Sequence, residues 1–280
     1  MLKFRQLFEV QMKIIDVNES YENDYFRCLS PWEEECPGES IEADRHKACW
    51  YQTMINKGLG AKIALNEENK PVGMIQYAPA GHFMLDGEDL YFLYCIYIPE
   101  KKKTNMFNRK KGIGKALLKA AEEDVKSRGA KALVVWGMII PVFMQASWFK
   151  KQGYTKIIRD GISTVLWKKF SDNAKPPVLI KPKKKPELVQ GKVTVTGLVS
   201  GWCSNFNRIL ERGKKAAGEF GDKVVYKEIN TNEKSVFLEW GLSDALFIDD
   251  KDINSGPPQS YKRIKNIIAK KVKKLKNFLI

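Results

Sequence analysis

No apolar run in this 280-residue chain approaches the roughly 20 residues that a membrane-spanning helix needs. The amino-terminal stretch LFEVQMKII is broken by Glu9, Gln11 and Lys13, so it is a poor export signal and reads as a first strand. Cysteine is too sparse for a disulfide framework: Cys28, Cys36, Cys49, Cys95 and Cys203 are an odd number spread along the chain. Reduced thiols and a cytoplasmic location are the expectation. Cys28, Cys36, His46 and Cys49 fall in one region, but none of the cysteines there forms a C-x2–4-C pair, so no metal is expected. No internal repeat is visible either.

What the chain has is the composition of a soluble globular protein, 44 % hydrophobic and 29 % charged, and enough length for two domains. Its net charge of +15 favours anionic partners such as nucleotides, coenzyme A, nucleic acid or an anionic membrane face, without choosing among them. Much of that charge sits in KPKKKP, from Lys181 to Pro186, and in the last helix. Residues 171–191 combine four prolines with the lysine run and read as a linker, which divides the chain into 1–170, the linker, and 192–280.

Upstream of the linker the pattern alternates. EVQMKIID is a strand and DRHKACWYQTMINKGL a helix; AKIALNEENKPVGMIQYAP is a hairpin turning at Asn69–Lys70, and DLYFLYCIYIP an apolar strand. A helix follows with Ile113, Leu117, Leu118, Ala121 and Val125 on one stripe, stopping at Gly129. ALVVWG reads as a buried strand, PVFMQASWFKKQGY as a helix and ISTVLWKKF as a closing strand. The fold class is mixed α/β. Downstream the order is strand, helix, strand, short helix, hairpin at Asp249–Lys251, and a final helix.

The most specific stretch is NRKKGIGKALLKAAEED, where cations and two glycines precede a helix. Backbone amides at such a turn, at the positive end of a helix dipole, form a ready anion site. Lys115 is followed by Ala116, which excludes a P-loop, and Leu117 stands where a dinucleotide fingerprint needs glycine. What remains is R-x-x-G-x-G: Arg109, Lys110, Lys111, Gly112, Ile113, Gly114. With the upstream strand ending YIP, the following buried strand and the element WFKKQGY, this resembles the GNAT-type N-acetyltransferase superfamily. The resemblance implies a mixed sheet flanked by helices and acetyl-CoA as co-substrate. It also implies direct acetyl transfer to an amine on a small molecule or protein. Amides of Lys110 to Lys115 would hold the pyrophosphate beside the Arg109 side chain. The main chain of Ile96 and Ile98 would run along the pantetheine arm.

Two positions depart from the family: Phe149 stands where many members have an acidic tyrosine, and Phe143 where an asparagine is common. Tyr94, Cys95 and Asp89 are the remaining candidates for acid or base. Period-2 alternation would put Tyr91, Leu93, Cys95 and Tyr97 on one face, all as core. In the second half Trp202-Cys203 sits at a strand-to-helix junction, where the dipole favours a thiolate. With the order of elements, this is similar to a degenerate thioredoxin-like domain of the YoaP type: Phe206 replaces the second cysteine, and Ser243 and Asp244 stand where the fold carries a proline. Cys203 is a separate candidate thiol site.

The final helix carries Ile264, Ile267, Ile268, Val272 and Leu275 on one stripe with lysines elsewhere. It is expected to pack on its own domain, with membrane or nucleic acid as alternative partners. Beside an acetyltransferase, two other classes stay open: a catalytically inactive CoA-binding or sensing protein, motivated by Phe149, and a nucleic-acid-associated basic protein, motivated by the charge. Few aromatics are interleaved with the lysine runs, which weighs against base stacking.

Overall fold

Apolar alternation and helical stripes become thirteen strands and seven α-helices among residues 12–29, 34–99, 112–141, 143–254 and 258–276, which the computed structural model describes. In chain order these are β1 (Lys13–Asp16), α1 (Glu22–Phe26), α2 (Glu39–Ile55), β2 (Gly60–Leu65), β3 (Pro71–Pro79), β4 (Leu85–Asp86) and β5 (Leu90–Tyr97). Next come α3 (Ile113–Ser127), β6 (Ala132–Met138), α4 (Ala146–Lys151), β7 (Thr155–Asp160), β8 (Ser163–Lys169) and β9 (Val178–Leu179). The chain continues through β10 (Val193–Val199), α5 (Ser204–Gly218), β11 (Val224–Asn230), α6 (Lys234–Trp240), β12 (Ala245–Ile248), β13 (Lys251–Asp252) and α7 (Tyr261–Lys276). No described helix is long and apolar enough to cross a membrane.

The chain folds into two compact units. The first draws on residues 1–30, 60–77 and 91–174 and contains a seven-stranded sheet in the order β1-β2-β3-β5-β6-β8-β7. Its β2–β3 hairpin turns where expected: Asn69 takes φ +55°, and the Asn66 carboxamide oxygen accepts from the Glu68 and Lys70 amides at 3.1 and 2.8 Å. The stripe Ile113, Leu117, Leu118, Ala121 and Val125 of α3 is buried against sheet residues including Ile75, Leu93 and Leu133. Gly129, at φ +83°, ends that helix with paired bonds, Gly129 N–H to the Lys126 carbonyl and Ala130 N–H to that of Val125.

Two elements differ from the sequence expectation. The helix expected from Pro141 is only α4, because Gly137 lets the backbone at Met144 and Ala146 approach β6: a Cβ on Gly137 would lie 2.9 Å from the Met144 carbonyl oxygen. Strand β7 was unread because its side chains lie near the surface on both faces, so it carries no apolar alternation.

The second unit draws on residues 31–59, 78–90 and 175–280. Its sheet has the order β11-β10-β12-β13, with β10 and β11 parallel and β12 and β13 added antiparallel. Helix α2 and strand β4, both upstream of the proline-rich segment, belong to this unit, so the compact units interleave in sequence. The proline-rich segment is also pinned: β9 pairs with β4, and the Lys183 amide donates to the Trp240 carbonyl at 2.9 Å.

A buried ion pair joins α2 to α5. The Arg212 guanidinium makes two bonds to Glu39, 2.7 Å from Nη2 and 3.0 Å from Nε, while Nη1 reaches Glu35 at 2.9 Å and the Gln259 carbonyl at 3.0 Å. Burial by itself raises the Glu39 pKa; the hydrogen bonds and charge of Arg212 outweigh it and hold the carboxyl below its usual range. A depressed folded pKa means that this stabilisation is present above the unfolded carboxylate value and is lost as pH falls through the folded one.

Arg212→Met removes both hydrogen bonds to the buried Glu39 carboxylate and leaves Arg208 Nη1, at 3.8 Å, as its nearby cation, so it should lower stability by about 3 kcal/mol. Denaturant unfolding at pH 7 checks the loss. The deficit relative to wild type should shrink as pH falls through the depressed Glu39 pKa, because the wild-type carboxylate is then itself being protonated.

Candidate active site

In the first unit, the end of β5 and the start of α3 are pressed together by contacts that only glycine allows. A Cβ on Gly73 of β3 would lie 2.9 Å from Ile113 Cγ2, 3.0 Å from Leu117 Cδ1 and 3.4 Å from Ile98 Cγ1. One on Gly114 would lie 3.3 Å from Ile98 Cδ1 and 3.4 Å from the Trp148 ring. Gly112 is needed for a different reason. Nothing stands within 4 Å of where its Cβ would be, but its backbone is left-handed, φ +79° and ψ 0°, at the N-cap of α3.

That cap has no side-chain hydrogen bond, and the first intrahelical bond runs from the Ala116 amide to the Gly112 carbonyl at 2.9 Å. The amides of Ile113, Gly114 and Lys115 therefore have no intrahelical partner, and no acidic side chain occupies the first turn. Three N–H groups at a positive helix end can hold an anion. The structure thus brings Ile98, Gly112, Ile113, Gly114 and Lys115 together with Ile96, buried in the same core as Ile113. Arg109, Lys110 and Lys111 lie outside the described residues.

On β5 the expected alternation breaks. Leu93 and Ile96 both belong to the core that holds α3, and Tyr91 and Ile98 pack against it, so the face switches once between 93 and 96. Cys95 and Tyr97 therefore do not share the face of Tyr91 and Leu93. Strict period-2 alternation therefore does not describe this strand. Tyr94 and Cys95, where the change falls, are both buried. The Tyr94 carbonyl accepts from the Trp136 indole of β6 at 3.1 Å, and its ring meets Phe92 edge-on at 5.4 Å.

Asp89 lies away from the strand, exposed in the turn before β5 at φ +55°. Phe149 is fully buried between Trp148 and Tyr154, at ring distances of 4.9 and 5.7 Å. Phe143 is exposed, its ring 5.9 Å from Trp136. The hydroxyl of Tyr154 is committed to structure: it donates to Glu122 at 3.1 Å, beside the Lys168–Glu122 ion pair, and burial, then the Glu122 charge, drives its pKa well up. Sequence reasoning missed Gly73, Trp136 and Trp148 as parts of this site. A glycine inside an apolar strand was the available signal for Gly73.

In the second unit Cys203 is the N-cap of α5, with extended backbone. Just before it, the loop is fastened to Asp244, whose carboxylate accepts from the Ser200 amide at 3.2 Å, the Ser200 hydroxyl at 2.9 Å and the Trp202 indole at 2.8 Å. Burial raises the Asp244 pKa, against these bonds and one from Ser243. Elsewhere in this unit, Cys36 donates its thiol to Glu39 at 3.3 Å, and burial, then that bond and charge, push its pKa up to about 12. His46 Nε2 lies 2.8 Å from Glu211, and Cys49 is exposed.

Residues 18–154 match the sequence model of the Acetyltransferase (GNAT) family. No curated protein matches the chain. Among solved structures, the chain is similar to a GNAT-family acetyltransferase from Staphylococcus aureus Mu50, at 18 % identity and a TM-score of 0.41, over 57 % of this chain and 99 % of that one. It is also similar to the PaiA N-acetyltransferase from Thermoplasma acidophilum in complex with coenzyme A, at 16 % identity and a TM-score of 0.40, over 57 % and 99 %. A third is a GNAT-family acetyltransferase from Brucella melitensis in complex with acetyl-CoA, at 13 % identity and a TM-score of 0.38, over 59 % and 91 %.

Two outcomes are expected here. Gly112→Ala should cost about 1–2 kcal/mol, the price of a Cβ in a left-handed backbone, read as a fall in the thermal midpoint. In mass-spectrometric alkylation at pH 8, Cys49 should be modified rapidly and Cys36 should stay unmodified in the folded protein.

Proposed function

We propose that the chain, with a GNAT acetyltransferase domain at residues 18–154, transfers an acetyl group directly from acetyl-CoA to an amine. One observation carries the reading: behind the left-handed Gly112, three α3 amides without intrahelical partners stand beside the end of β5. In this reading the amides of Ile113, Gly114 and Lys115 hold the pyrophosphate, with Arg109, Lys110 and Lys111 adding charge. The main chain of Ile96 and Ile98 pairs with the pantetheine arm, as an added strand would.

In this reading the thioester lies beside β5 at Tyr94–Cys95, where the alternation of buried faces changes. An amide there stabilises the oxyanion as the neutral amine attacks. The C–S bond then breaks and the CoA sulfur leaves as a thiolate. A thiol of pKa about 8.5 is a fair leaving group, so the chemistry tolerates Phe149, and Tyr94 and Cys95 serve to position the thioester. The acceptor amine gives up its proton through water at the mouth of the site.

For the remainder, we infer sequence domains at 1–170 and 192–280 with residues 171–191 between them, the second completed as a compact unit by α2 and β4 from upstream. The parallel β10–β11 pair with β12 and β13 added antiparallel supports a YoaP-like, thioredoxin-like arrangement for the second. There Phe206 and Asp244 stand in place of redox residues, which favours a binding role over dithiol chemistry.

Isothermal titration should show saturable acetyl-CoA binding that Gly112→Glu abolishes. Release of free CoA with a panel of amines then separates enzyme from sensor: binding without turnover for every amine would leave only the sensor. With an active amine, kcat/KM should rise with pH along one limb and then level off. A descending limb that Tyr94→Phe removes, with a loss in kcat of about 10²-fold or more, would instead make Tyr94 the general acid.

A further inference from the structure

Charge in the carboxy-terminal part of the chain is segregated. Residues 192–260 hold nine Lys/Arg and ten Asp/Glu, whereas Tyr261–Lys276 hold eight Lys/Arg and no acidic residue. The net charge of this region therefore lies on α7. The rotation of that helix is fixed from inside. Ile264 and Ile268 are fully buried in the core of the second unit with Val272 beside them. The start of the helix is held by the Glu35 carboxylate, which accepts the Tyr261 amide at 2.7 Å, and by the Ser260 hydroxyl, which accepts that of Arg263 at 3.2 Å.

Two of the cations serve the fold: Lys265 pairs with Glu219, and Lys271 with Asp249 at 2.8 Å. Lys262, Arg263, Lys270, Lys273 and Lys274 are exposed and form no ion pair with any described residue. At 3.6 residues per turn they fall in two rows roughly 80–100° apart around the helix. Lys262 and Lys273 form one row, Arg263, Lys270 and Lys274 the other, and exposed Asn266 lies on the crest between them. The rows run about 18 Å along the axis at 1.5 Å per residue.

We propose that this face of α7 docks in the major groove of double-helical DNA, its two cationic rows meeting the phosphates of the two groove walls. The inference is independent of acetyl transfer. The B-form major groove, about 12 Å wide, admits an α-helix. Two rows on either side of a crest suit a groove with two walls. A bilayer would need the apolar stripe, and Ile264, Ile268 and Val272 are already buried in the core. The major groove of A-form RNA is too narrow for a helix, and the exposed arc carries no aromatic side chain on which a single strand could stack.

The test uses the full chain and a fluorescein-labelled 20-base-pair DNA duplex, followed by anisotropy between 50 and 200 mM salt. Four or five phosphate contacts predict a slope of log K against log salt of about −3.5 to −4.5. Lys270→Glu, Lys273→Glu and Lys274→Glu together should weaken binding at 50 mM salt at least tenfold and flatten the slope by about 3. Lys192→Glu, Lys223→Glu and Lys251→Glu, the same charge change at exposed positions off α7, should retain most of the affinity. Thermal midpoints of both triple variants report that each is folded. Absence of binding at 50 mM, equal loss in the two triple variants, or binding as tight to a 20-base-pair RNA duplex or to phosphatidylserine vesicles would overturn the proposal.

Discussion

The close approach of the α3 amino terminus to the ends of β3 and β5 is the constraint on which the candidate site depends. Unsatisfied amides at a helix start are a liability unless water or a ligand takes them. The helix is nonetheless held there by its other face, where Ile113, Leu117, Leu118 and Val125 are buried. Burying such side chains contributes about 1.5–3 kcal/mol each, well above the cost of one left-handed glycine or of a few solvated amides. The core thus fixes the position, and Gly73 and Gly114 only remove the atoms that would prevent it. The separation of roles also explains why the two glycines of the motif are not equivalent. Gly112 answers a dihedral demand and Gly114 a steric one.

In the second unit the same economy governs charge. Inside, the buried Arg212 is matched by Glu39 and Glu35, and the buried Asp244 carboxylate by the Ser200 and Trp202 donors. A buried charge with no such partner would cost several kcal/mol, so the matching is obligatory. On the outer face of α7 the opposite holds, with like charges side by side and nothing in the described chain to balance them. Salt bridges at exposed positions contribute little either way, so this asymmetry is invisible to stability and bears on association.

Much of this was legible in the sequence, for reasons that differ by element. The β2–β3 turn at Asn69, the stripe and glycine stop of α3, and the hairpin at Asp249 each follow from local chemistry, and the structure has all three. The glycine turn before α3 was readable because its requirement, glycine before an amphipathic helix, is itself local. Period-2 logic failed on β5 because the break between Leu93 and Ile96 is set by packing against α3, which no spacing rule contains. It failed on β7 because a strand near the surface on both faces has no apolar period to read. The membership of α2 in the second unit was out of reach, since it rests on Glu39 meeting a residue 173 positions away.

The absence of a tyrosine at Phe149 bears less on catalysis than it first suggests, because the two proton transfers of the reaction are unequal. An amine of pKa about 10.4 is neutral in only about one molecule in 2,500 at pH 7, a cost of roughly 4.6 kcal/mol before any bond forms. Expelling a thiolate whose conjugate acid has a pKa near 8.5 costs only about 2 kcal/mol at the same pH relative to the thiol. The larger demand falls on deprotonating the acceptor, not on protonating the leaving group. In the proposed reaction, a site that holds the thioester with Ile96, Ile98 and the α3 amides and leaves the sulfur unassisted therefore gives up the smaller term. The side chain at 149 is then free to do what it does here, which is to fill the core beneath Trp148 and Tyr154.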